Sequence, residues 1–208
     1  MKKILSGFSY AFYIISHPIR GFYEMRFEKG GNLIASLILA LIFTLAIVIS
    51  NLASGFIFST VNVNEYNPLR QAVNIMVPLL LWCVVNWSIT VLMDGEGRFK
   101  DIVMAAGYAT VPYTITVILG TLLSLWLTAD EAGFIAMVTG IGTAYSSLLF
   151  FTGTLTVHQF TVKKAVVSTI VTLAGMVFVL FLVVLFAQIM DQLFGYLAGI
   201  VTEIKLRM

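Results

Sequence analysis

The sequence predicts an all-α fold: a polytopic membrane helix bundle with five transmembrane helices and an N-terminal interfacial amphipathic helix. Three observations carry that prediction. Of 208 residues, 60% are hydrophobic and 11% charged, whereas a soluble domain averages roughly 45–50% apolar and about 25% charged. Five stretches, 30–64, 71–93, 102–129, 132–162 and 165–190, contain no Asp, Glu, Lys or Arg. Each exceeds the roughly 20 residues that a spanning helix needs. Finally, the lysines and arginines fall unevenly between the segments joining these stretches. A net charge of +2 is too small for a nucleic-acid groove, so no nucleic-acid partner is expected.

Trimmed of polar ends, the spans are placed near 32–54, 72–92, 102–127, 132–156 and 165–190. With the N-terminus inside, its flank carries Lys2, Lys3, Arg20, Arg26 and Lys29, and later inner segments add Arg98, Lys100, Lys163 and Lys164. That makes nine basic residues inside against three outside, Arg70, Lys205 and Arg207. Excess Lys and Arg mark the cytoplasmic side, so an inside N-terminus and an outside C-terminus are expected. Three segments follow: an interfacial and juxtamembrane part (1–31), a five-helix domain (32–190) and an outer amphipathic tail (191–208).

In the first segment, Ile4, Phe8, Ala11, Phe12 and Ile15 recur at helical spacing, with Lys2, Ser6, Ser9, Tyr13 and Ser16 on another face. This helix is too short to span and should lie in the interface. Ser16-His17-Pro18 lacks the small residues of a cleavage site. In the tail, Leu193, Leu197, Ile200 and Ile204 also keep helical spacing. The spacing fits either a continuation of the fifth helix or a helix lying on the surface.

No ionisable side chain sits mid-span, where pumps and proton-coupled carriers place the groups that carry charge. Cys83 is the only cysteine and reads as a small buried hydrophobe. His17 and His158 both fall near boundaries, too few and too far apart for a zinc site. No metal, cofactor or enzymatic activity is expected.

Two places stand out. The first is the inner loop 94–101, where Asp94, Glu96, Arg98 and Lys100 form a candidate partner surface with Asp101. Gly95 and Gly97 would supply turn angles; Asp101 can also cap the third span. An EF-hand needs a longer loop closing on Glu. The second is the third span, where Pro112 has no N–H for the Tyr108 carbonyl. Pro112 lies ten residues past Ile102, about 15 Å deep and near mid-bilayer. Tyr108, Thr110, Pro112 and Tyr113 therefore mark a helix kink or a ligand contact. For helix packing, Ala136, Gly140 and Ala144 form a small-residue stripe, and Asn86 should face protein.

Gly107-Tyr108…Pro112-Tyr113 and Asn86-Trp87…Leu92-Met93-Asp94-Gly95-Glu96-Gly97…Phe99-Lys100-Asp101-Ile102, set among five spans, resemble the Yip family (Ypt-interacting proteins), in particular its bacterial five-helix branch. The resemblance implies a multi-pass protein of the bacterial inner membrane; in eukaryotes it implies binding of Rab-type GTPases. With no Asp-Leu-Tyr-Gly-Pro motif and no long cytosolic N-terminal region, this sequence is not expected to bind one. The expected function is that of a non-enzymatic scaffold or accessory subunit, its partners being the lipid bilayer and other membrane proteins such as a solute importer. The alternative is a transporter, channel or lipid-handling protein that uses the kinked third helix.

Overall fold

The computed structural model describes residues 2–28, 30–58 and 65–207. Lys29, Asn64 and the side chains of Lys2, Lys3, Ile4 and Ile204, used above, lie outside the described residues. The fold is all-helical, with no strand among the described residues. Its α-helices are α1 (Lys2–Ser16), α2 (Pro18–Phe27), α3 (Leu33–Ala53), α4 (Pro68–Leu92), α5 (Phe99–Ala109), α6 (Val111–Ser124), α7 (Ala132–Val157) and α8 (Val162–Arg207). A 3-10 turn at Ala129–Glu131 precedes α7. Five spans are long and apolar enough to cross a membrane, α5 and α6 forming one of them, Phe99–Ser124. The protein is therefore a multi-pass integral membrane protein.

Local chemistry sets three of the helix starts. Asn32 and Asn67 cap α3 and α4, each accepting two backbone N–H bonds through its side-chain oxygen, and Pro68 suits the first position of α4. Asp101 accepts from the Arg98 backbone N–H at 3.4 Å and from Arg98 Nε at 3.2 Å, which closes the start of α5.

One end of the bundle gathers α1, α2, the α4–α5 loop and the α7–α8 turn. Arg26 of α2 donates to the Val157 carbonyl at 2.5 Å and to the Glu96 carbonyl at 2.9 Å. At the other end, the Gly55 N–H donates to Ser124 Oγ at 3.0 Å, joining the ends of α3 and α6. The α5–α6 span is the most enclosed, with 67% of its apolar window buried. Tyr108 at its centre is fully buried, and its hydroxyl accepts from the Asn32 N–H at 3.1 Å.

Two packing expectations change and one open choice closes. First, α1 buries a different face from the one its spacing marks. Its buried face is Gly7, Ala11 and Ile14 while Phe12 is 63% exposed, and it is anchored by Tyr145 Oη donating to the Ile15 carbonyl at 2.5 Å. Second, α7 packs on a different stripe. Ala136, Gly140 and Ala144 are exposed, whereas Gly142, Ser146, Leu149 and Gly153 are buried. A Cβ on Gly142 would collide with Thr116 of α6, so this register alone lets α6 and α7 approach closely. Third, no break separates the tail from the fifth span: α8 is one helix of 46 residues. Asn86 faces protein, 1% exposed, and donates to Thr172 Oγ1 at 3.3 Å.

Candidate functional site

Two arrangements gather the residues that the sequence singles out. The first is the break between α5 and α6. Pro112 removes one backbone donor and the ladder parts at Thr110, which belongs to neither helix. The Tyr113 N–H leaves its own helix and donates to Ser146 Oγ of α7 at 3.0 Å. Thr110 Oγ1 donates to the Gly107 carbonyl at 2.8 Å, and Thr114 Oγ1 to the Thr110 carbonyl at 2.9 Å. The neighbouring helix thus takes up the freed Tyr113 N–H, while the Thr110 N–H turns to the Tyr108 carbonyl, in keeping with the need of a helix in lipid to re-pair its backbone.

Because Ser146 and not Pro112 fixes the Tyr113 amide, the two residues should respond differently. Pro112→Ala returns a donor to the Tyr108 carbonyl and should shift stability by no more than about 1 kcal/mol. Ser146→Ala strands a half-buried N–H and should cost about 1–3 kcal/mol. Thermal unfolding in detergent compares them; a larger loss from Pro112→Ala would contradict this account of the bend.

Beside the break lies an open groove of about 610 Å³ bounded by α3, α4, α6, α7 and α8, with Thr110 and Tyr113 in its wall and Asn74, Pro78, Thr143 and Ser147 exposed along it. Its size falls in the roughly 300–1,000 Å³ range of small-molecule sites. Phe43, Leu79, Trp82, Phe150, Leu173 and Met176 form much of its surface, and no charged side chain lines it. Pro78 of α4 lies there too; lacking an N–H, it cannot pair with the Asn74 carbonyl one turn earlier. The sequence reading missed Pro78 and Asn74, although a second proline inside a span was the available signal.

The second arrangement is the 94–101 loop. Asp94, Glu96, Arg98 and Lys100 are exposed. Asp101 differs from expectation: it is 2% exposed and occupied with Arg98, so it is withdrawn from any surface. The glycines also act otherwise than expected. The left-handed residue is Asp94, with φ 55°, and no described glycine has positive φ. Gly95 and Gly97 instead make room, since a Cβ on either would sit under 3 Å from the His158 ring. Gly97 N–H donates to His158 Nδ1 at 3.3 Å, and Phe160 stacks on the ring with centroids 5.3 Å apart. This bond places the neutral ring's proton on Nε2. Burial first, and then the Arg26 charge, push His158 down to about 4, with Asp101 pulling the other way.

Among the described residues no group of three His, Cys, Asp or Glu is placed to hold a metal ion. The family model described as the Yip1 domain matches residues 12–195, so the chain belongs to that family. No curated protein and no solved structure matches it.

Proposed function

We propose that this Yip1-domain membrane protein is a non-enzymatic scaffold or accessory subunit of a membrane complex. In this reading it resides in a bacterial cytoplasmic membrane with its N-terminus inside and its C-terminus outside. The observation that carries the reading is α8. Its 46 residues extend about 69 Å at 1.5 Å per residue, over twice a hydrocarbon layer of about 30 Å. Only 6% of its apolar window is buried within the chain. Past Asp191, Phe194 and Tyr196 remain 66% and 68% exposed. Lipid can cover such side chains at membrane depth; beyond it, a helix of a second membrane protein suits them, and a solute importer is one such partner. Asp94, Glu96, Arg98 and Lys100 offer a second contact on the opposite face.

Purification in mild detergent tests this. Stoichiometric co-elution with another membrane protein is expected, and it should be lost in Phe194→Ser/Tyr196→Ser, which touches no buried residue. Recovery of the wild-type protein alone, or a partner retained by the double variant, would refute the role assigned to α8. The groove beside the α5–α6 break favours a second reading, a transporter, channel or lipid-handling protein, for which flux through the reconstituted protein is the test.

A further inference from the structure

The groove beside Pro78 and the α5–α6 break lies within the apolar part of the bundle, among four of the five spans and α6. Its wall runs from Asn74 to Trp82 on α4, a rise of about 12 Å at 1.5 Å per residue. A charged or strongly hydrated solute would lose its water without gaining a counter-charge there. Along the wall, Thr143, Ser147 and Thr169 turn their hydroxyl protons to carbonyls of their own helices. Polarity is therefore concentrated in two places. One is Asn74, with its amide and the carbonyl that Pro78 cannot pair. The other is Tyr113, whose ring packs on Phe43 with centroids 5.9 Å apart.

We infer that this groove holds one acyl chain of a bilayer glycerolipid, with the ester end at Asn74, toward the Pro68 end of α4, and the chain running past Tyr113 to a methyl end near Trp82 and Phe150. The Asn74 amide is a donor suited to an ester carbonyl. The aromatic and aliphatic walls suit the methylene run, whose burial is exchanged here against other lipid and not against water. Retention consequently comes from shape and from the Asn74 amide, not from hydrophobic transfer. The inference shares its groove with the second reading above and requires no transport, so flux and occupancy can fail independently.

The test uses full-length protein in phosphatidylethanolamine–phosphatidylglycerol vesicles. A trace of phosphatidylethanolamine carries a diazirine on one acyl chain, and labelled residues are mapped after illumination. Label is expected on Tyr113 and Phe151 inside the groove and on Ile170, which is 61% exposed and reports ordinary lipid contact in a folded, inserted chain. Ser147→Trp fills the groove and should abolish the Tyr113 and Phe151 label while leaving that on Ile170. Asn74→Leu adds little volume and removes the amide, and it should lose the same label; it carries the test if Ser147→Trp also loses Ile170. Absence of label on Tyr113 in the wild type would overturn the inference. So would Tyr113 label that survives in Asn74→Leu and, wherever Ile170 stays labelled, in Ser147→Trp.

Discussion

Gly107→Ala is expected to destabilise the protein by about 3 kcal/mol, the upper part of the range for overpacked sites. A Cβ at this position would meet the carbonyl group of Ser36 and the Ser36 Cβ, and backbone cannot yield as a flexible side chain can. The contact joins α3 to α5 directly beside Tyr108, whose hydroxyl reaches both backbone groups of Asn32. Separation of these helices would strand that hydroxyl and unseat the Asn32 cap. The control is Gly140→Ala, where an added Cβ meets nothing within 4 Å and the helix should gain up to about 1 kcal/mol. Thermal unfolding of both variants in one detergent should show opposite signs. Equal stabilities would mean that α3 and α5 do not approach as described.

The second large effect is on pH dependence. His158 is 1% exposed and titrates near 4 in the folded chain, against about 6.5 when unfolded. Between those values the unfolded chain binds a proton that the folded chain refuses, so folding stability falls as pH drops. The contribution is complete above pH 6.5, declines from there to about pH 4, and is level below it. Its full size is on the order of 3 kcal/mol. His158→Asn keeps an acceptor near the Gly97 N–H but cannot titrate. Unfolding measured between pH 7.5 and 4.5 should show the wild type losing more stability than the variant. Parallel curves would remove His158 from the account.

Features encoded locally were legible in the sequence, and features that depend on which helices meet were not. Charge-free runs gave the five spans, and the proline signal at Pro112 placed a break where α5 and α6 part. Asp101 reads as a cap because capping needs only neighbours in sequence. The partner of the opened backbone, Ser146, comes from another helix 33 residues on, and no local pattern names it. The same limit explains α7: Gly140 and Gly142 are both small, and only the position of Thr116 decides which one is needed. For α1, helical spacing put Phe12 on the apolar face and left Ile14 off it. A surface against the bundle selected Ile14 because Gly7, Ala11 and Ile14 share the face that fits. Pro78 is visible in the sequence, yet only the tertiary fold brings it to one groove with Thr110 and Tyr113.

The ties that fasten the N-terminal helices have a consequence for biogenesis. Arg26 bonds the Val157 carbonyl across 131 residues of chain, and Tyr145 bonds Ile15 across 130. At roughly 5–20 residues per second of synthesis, the ribosome needs roughly 7–26 s to supply Val157 once Arg26 has been made. Throughout that interval Ile14, Phe22 and Met25, all sealed in the finished protein, have no completed site to enter. The nascent chain therefore presents an apolar N-terminal hairpin that only the membrane surface or a chaperone can shelter. Its docking is a late step, taken after the fourth span has been made.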